Sequence, residues 1–168
     1  MIPPLNFKKW INSNRDKLKP PVCNQVVYED TDFIIMVVGG PNTRKDYHVN
    51  NGEEFFYQVE GDMTLRIMEN GLPKDISIKE GDIFLLPPQV PHSPQRYQNT
   101  VGLVIEYKRK EKELDGFQWY CDECNSLLYE DFFHLTNIVK QLPVVFEKFW
   151  SDSKNRTCIR CNSYLEKV

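Results

Sequence analysis

The sequence predicts an all-β fold, a sandwich or barrel, with a short helix before it and a small metal-binding lobe after it. The first observation is a succession of seven short β-rich runs up to about residue 108, separated by Gly, Pro, Asp and Asn with no helical period between them. The second is a change of texture beyond Gly116, where two C-x-x-C pairs bracket apolar helical stretches. The third is size: 168 residues, 40% of them hydrophobic, suffice for one core and an appendage but not for two full domains. The chain therefore divides into a barrel domain with its N-terminal helix, 1–115, and a C-terminal lobe, 116–168.

"PLNFKKWINSNRDKLKPP" places Leu5, Phe7, Trp10 and Ile11 among basic residues and closes at Pro20 and Pro21, the pattern of a short helix with a proline stop. The strand runs follow as "NQVVYED", "DFIIMVVGG", "EFFYQVEG", "MTLRIME", "DISIKEGD", "IFLLPP" and "VGLVIEYK". "KRKEKELD", residues 108–115, mixes both charge signs and reads as a solvated connection. Helical stretches are expected around "FFHLTNIVKQL" and "VVFEKFW", with His134 a packed or surface histidine. Cys23, outside the C-x-x-C pairs, reads as a small buried residue.

A net charge of −3 and a pI near 5.7 argue against a nucleic-acid partner. No apolar run is long enough to cross a bilayer, and the N-terminus lacks the succession of a secretory signal, so a cytoplasmic protein is expected.

The chemistry concentrates in two segments. In "DYHVNNGEEFFYQVEG", His48 is followed by Asn50, Glu54 and Gly61; in "GDIFLLPPQVPHSPQR", Gly81 is followed by Pro87, His92 and Arg96. These spacings resemble the paired motifs of the cupin superfamily, with three departures. Asn50 stands where a second histidine is usual, Gln89 replaces a glycine, and Arg96 replaces an asparagine. Two histidines and one carboxylate remain, the facial triad expected of a non-haem Fe(II) site with open positions for substrate and dioxygen. His48 and Glu54 are an even number of residues apart and would share an inward face on an unbroken strand, but "NNG" interrupts them.

Arg44, Arg96 and Glu106 are the further candidates. Guanidinium groups near a metal point to an acidic substrate, since arginine offers a bidentate fork to a carboxylate. Glu106, among Val104, Ile105 and Tyr107, needs a partner, either Arg96 or a substrate N–H or O–H. Cys121, Cys124, Cys158 and Cys161 suit a closed tetrahedral site for zinc or a single iron, with a structural role. The 33 residues between the pairs exceed a zinc-ribbon spacing, so a small helical lobe is expected around the metal. A thioredoxin-like redox role is disfavoured because neither pair lies in a βαβ pattern.

Taken together, "VGGPNTRKDYH", "EEFFYQVEG", "EGDIFLLPPQVPHSPQR", "LVIE" and "LDGFQWYCDEC" with the terminal C-x-x-C resemble the 3-hydroxyanthranilate 3,4-dioxygenase family in its single-cupin form, across residues 5–161. The resemblance implies ring opening of 3-hydroxyanthranilate by O2 to 2-amino-3-carboxymuconate semialdehyde, a precursor of quinolinate and NAD. It implies His48, Glu54 and His92 as catalytic Fe(II) ligands, Arg44 beside the dioxygen position, and Arg96 and Glu106 at the substrate. It also implies a rubredoxin-like second iron on the four cysteines and a homodimer. The rival readings are a cupin oxygenase acting on another small acid and a metal-dependent sensor.

Overall fold

The structure, a computed structural model, describes residues 3–20, 23–29, 31–136 and 138–167. Pro21, and Asn137 within one predicted helical stretch, lie outside them. Among the described residues, two antiparallel sheets face each other. The first comprises β1 (Asn24–Val26), β2 (Phe33–Gly39), β4 (Glu54–Glu60), β7 (Ile83–Leu86) and β9 (Val101–Tyr107), in the order β1-β2-β9-β4-β7. The second comprises β3 (Asp46–Val49), β5 (Met63–Glu69), β6 (Leu72–Ile78), β8 (His92–Arg96), β10 (Asp115–Tyr120) and β11 (Leu127–Phe133), in the order β11-β10-β3-β8-β5-β6. From β2 to β5 and from β6 to β10 successive strands alternate between the sheets, while β1 and β2, β5 and β6, and β10 and β11 pair within one sheet, the jelly-roll arrangement of a cupin.

Alternation along the strands builds the core. Phe56, Met63, Leu65, Ile67, Ile78, Leu86 and Val104 point inward from both sheets and form its buried centre. On β4 the same face carries Glu54 and Gln58, so the polar site lies on the face that packs the core.

The N-terminal helix α1 (Phe7–Asn14) is capped by Asn6, whose side chain accepts from the backbone N–H of Lys9 at 2.9 Å. A 3-10 turn, Arg15–Leu18, continues it. Ile11 and Leu18 pack with Val37 and Val101 on the first sheet.

The C-terminal region departs from expectation in its secondary structure. "FFHL" is not helical: Phe132 and Phe133 end β11, which pairs along β10. A single helix, α2 (Ile138–Ser151), replaces the two predicted stretches and continues through Pro143; α3 (Ser153–Arg156) follows. β10 and β11 extend the second sheet past β3, and α2 folds back on their inner face. Trp119 is fully buried and stacks on Phe149 at 4.4 Å, while Phe117 meets Phe146 edge-on at 5.8 Å. Burial of such aromatic faces stabilises the helix on the sheet by about 1.5–3 kcal/mol per side chain.

Candidate metal and substrate site

Two cross-strand pairs, one from each sheet, build the site. His48 on β3 is the register partner of His92 on β8, and Glu54 on β4 is the register partner of Glu106 on β9. The sheets meet where His92 Nε2 lies 3.0 Å from Glu54 Oε2. His48 and Glu54 therefore do not share a strand; the turn after Val49 carries the chain from one sheet to the other, and convergence comes from the barrel rather than from parity along one strand.

The ligand atoms of His48, Glu54 and His92 all lie within 4.8 Å of one another. Donors about 2.1 Å from one octahedral ion and at right angles stand about 3 Å apart, so the His92 to Glu54 separation suits such an ion. Both imidazoles are held from behind or beside, as ligating histidines are: His92 Nδ1 meets the Val90 carbonyl at 2.9 Å and His48 Nε2 meets Asp115 Oδ2 at 2.6 Å. Burial pushes the Glu54 carboxyl up, but His92, His48 and Arg109 outweigh it and hold it at about 2. Burial opposes protonation of His92, yet Glu54 raises it above the usual histidine value.

Asn50, at the position of the usual second histidine, is buried and donates from Nδ2 to Glu54 Oε2 at 3.3 Å and to Glu106 Oε2 at 3.2 Å. An amide nitrogen carries two hydrogens, so one side chain serves both acids. Gln89, which replaces the glycine, adopts φ +61°, the left-handed region that glycine favours. Its backbone N–H donates to the Asn50 carbonyl at 2.8 Å and its side chain to Asn51 at 3.1 Å, which hold the bend in place.

Arg96 lies on the inner face of β8, 3% exposed. Its Nη1 donates to Gln58 Oε1 at 3.2 Å, and its Nε is buried without a partner. Burial pulls this guanidinium down to about 10; Glu54 works against that and Arg44 with it. Gly102 makes the seat, since a Cβ there would overlap both Arg96 Nη1 and Gln58 Oε1. Glu106 does not pair with Arg96, one of the two expected partners. Its Oε2 lies 2.9 Å from Arg109 Nη2, because Arg109 turns back into the barrel just after β9 ends. Arg44 also lines the site and is bound to Asp46.

The cavity at the triad measures about 130 Å³ and is walled by Phe56, Val104, Phe117, Leu135 and Leu142 beside the polar groups. A larger cleft of about 670 Å³ lies outside it and shares Glu106 and Arg109 with it.

The solvated connection expected at 108–115 holds at Lys108, Lys110, Glu111, Lys112 and Leu114, which are exposed, and is corrected at Arg109 and Asp115. The Arg109 side chain is 7% exposed and that of Asp115 is 1% exposed. Arg109 donates to both Asp115 oxygens, from Nε at 2.7 and 3.0 Å and from Nη2 at 2.6 Å. Charge composition gives no hint of this; the signal available was the apolar strand "DGFQWY" beginning at Asp115.

The four cysteines form a second cluster, with Cys121 Sγ 3.5 Å from Cys161 Sγ and Cys124 Sγ 3.5 Å from Cys158 Sγ. Four sulfurs about 2.3 Å from one tetrahedral ion would stand about 3.8 Å apart, close to this. The two halves are equivalent. Asn125 and Asn162 have φ of +58° and +60°, and the N–H of Cys121 and of Cys158 bonds the carbonyl of Ser126 and Ser163 respectively. The repeated hexapeptide C-x-x-C-N-S in "CDECNS" and "CIRCNS" was the sequence signal for these turns and for the serine hydroxyls beside the thiols. Cys23 is buried, which raises its thiol, and His134 Nδ1 meets the Glu113 carbonyl at 2.9 Å, away from both clusters.

The family model described as 3-hydroxyanthranilic acid dioxygenase matches residues 1–150. The chain is 52% identical over 161 residues to the 3-hydroxyanthranilate 3,4-dioxygenase of Xanthomonas euvesicatoria, covering 96% of this chain and 91% of that one. The protein of that name from Ruegeria pomeroyi is 52% identical over 157 residues, 93% of this chain and 87% of that one. Among solved structures, a cupin-2 domain protein from Shewanella frigidimarina aligns with a TM-score of 0.48 at 18% identity, over 62% of this chain and 94% of that one. With half of its residues shared with these relatives and the family model spanning barrel and α2, the chain belongs to the 3-hydroxyanthranilic acid dioxygenase family.

Proposed function

We propose that the chain is an Fe(II)-dependent extradiol-type dioxygenase that opens the ring of 3-hydroxyanthranilate with O2 to give 2-amino-3-carboxymuconate semialdehyde. The observation that carries this reading is the buried, carboxylate-free guanidinium of Arg96 beside the His48, Glu54 and His92 cluster. A cation kept out of water without an ion pair fits an anionic ligand, and the substrate carboxylate supplies one.

Fe(II) held by His48, Glu54 and His92 would supply open positions for a chelating hydroxyl and amine and a redox centre for reaction with dioxygen. The residues around it do the positioning. Arg96 takes the carboxylate and fixes the ring angle; Glu106 accepts from the substrate's N–H or O–H; Arg44 stands at the dioxygen position. Val104, Phe117, Leu135 and Leu142 exclude water from the ring. Both atoms of O2 enter the product, so no external reductant is required.

The four-cysteine cluster is assigned a second iron or zinc with a structural role. A cytoplasmic site of action and a place in quinolinate and NAD synthesis belong to the same reading; no described helix is long and apolar enough to cross a membrane. A homodimer is supported by the outer face of the first sheet, where Ile35, Ile105, Phe55 and Leu85 stand in one register row and Ile83 and Leu85 are more than half exposed.

The test is anaerobic loading with Fe(II), addition of 3-hydroxyanthranilate, then air. One O2 consumed per product, abolished in His92→Ala, is the expected result. No uptake by folded, iron-loaded protein sinks the assignment.

A further inference from the structure

Arg109 is the most heavily engaged charged side chain near the triad, and the reaction as proposed gives it no part. Its Nε and Nη2 grip Asp115 as a fork, and Nη2 also lies 2.9 Å from Glu106 Oε2. Asp115 Oδ2 in turn is 2.6 Å from His48 Nε2, and Glu106 Oε2 is reached by Asn50, which also holds Glu54. The contacts run from His48 through Asp115, Arg109, Glu106 and Asn50 to Glu54 and on to His92. Lys108 and Lys110, on either side, are exposed. Arg109 alone of the three is drawn inward, and it forms part of the wall between the triad cavity and the outer cleft.

We propose that Arg109 is a positioning residue that ties the orientation of the metal-binding His48, through Asp115, to the orientation of the ligand-facing Glu106. The metal half of this rests on His48 as a ligand, as proposed above. Three buried carboxylates, Glu54, Glu106 and Asp115, crowd this end of the barrel, and the fork of Arg109 spaces two of them. Lysine offers a point charge instead of a planar fork, so it holds one acid in place and releases the other. Outer partners of ligating histidines govern metal affinity by about 10- to 100-fold.

The test measures metal binding and ligand binding separately, under anaerobic conditions, on protein whose four-cysteine site is filled with zinc. In competition with a chelator, Arg109→Lys should bind Fe(II) about 10- to 100-fold more weakly, as should Asp115→Asn. The double variant should be no weaker than Asp115→Asn, because Arg109 acts through Asp115. At saturating Fe(II), 3-hydroxyanthranilate should bind Arg109→Lys roughly tenfold more weakly, reported through the Glu106 arm.

Unchanged Fe(II) affinity in folded Arg109→Lys, or losses that add in the double variant, overturns the proposal. If Arg109→Lys does not fold, unchanged Fe(II) affinity in Asp115→Asn overturns it equally. Wild-type protein that binds Fe(II) but not 3-hydroxyanthranilate refutes the substrate while the Fe(II) comparison still decides the role of Arg109. Wild-type protein that binds no Fe(II) beyond the zinc site removes both readings.

Discussion

Glu54 and Glu106 stand directly opposite one another on neighbouring strands β4 and β9, 6% and 4% exposed. Like charges in directly opposed positions destabilise a sheet, and burial strengthens their repulsion. The two acids diverge in response. Glu54, beside both histidines, is held at about 2; burial and the neighbouring Glu54 push Glu106 upward despite Arg109. Asn50 donates to both, and His92 and Arg109 take one each.

Asn50→Leu should therefore expose the cost of this juxtaposition. It removes the shared donor and leaves two buried acceptors short of a partner, a loss of about 1–3 kcal/mol. For a chain of this size the melting midpoint should fall by about 2–4 °C per kcal/mol. A midpoint equal to that of the unsubstituted protein would show that water or Arg109 replaces the amide without loss.

Gly102→Ala tests the seat of Arg96. The added methyl would overlap Arg96 Nη1 and Gln58 Oε1, forcing the guanidinium out of line. The KM for an acidic substrate should rise about tenfold, equivalent to about 1.4 kcal/mol, with a smaller change in melting midpoint. Steady-state kinetics beside a thermal melt separate the two effects, and an unchanged KM would remove Arg96 from carboxylate binding.

Cys124→Ser should empty the four-cysteine cluster and loosen the fold around it. Metal-binding free energy of a thiolate site is folding free energy, so the lobe should lose protease resistance and the melting midpoint should drop. Hydrogen bonding to Ser126 lowers this thiol, which favours the thiolate form that binds a metal. Metal content measured with limited proteolysis checks this; full protection in metal-poor protein would argue against a structural ion.

The acid side of the stability profile should carry a small signature of α1 docking. Arg15 hydrogen-bonds Glu60 at 2.8 and 2.9 Å, which lowers the Glu60 carboxyl, with burial opposing. A depressed folded-state value contributes stability above the unfolded carboxylate range, and this is lost as pH falls through the folded value. The pair is partly exposed, so the contribution is below about 1 kcal/mol. Glu60→Gln should lower the midpoint slightly at pH 7 and match the unsubstituted protein in strong acid; an equal difference at both pH values would exclude the ion pair as its source.

What the sequence determined by itself is what local pattern encodes. Period-two runs broken by Gly, Pro and Asn specify strands wherever they occur, and donor types at fixed intervals mark His48, Glu54, His92 and the four cysteines before any contact is known. Helix against strand at Phe132 and Phe133 was less legible, because β11 is defined by pairing with β10 rather than by its own period. Tertiary structure alone decided the partners. Glu106 faces Glu54 because β4 and β9, far apart along the chain, hold one register from Glu54 to Gln58, and Arg109 rather than Arg96 reaches it because the chain turns inward where β9 ends. Arg109 and Asp115 lie in a run whose mixed charges suit water as well as the barrel. Only the closure of two sheets around three carboxylates makes burial of that guanidinium the lower-energy choice.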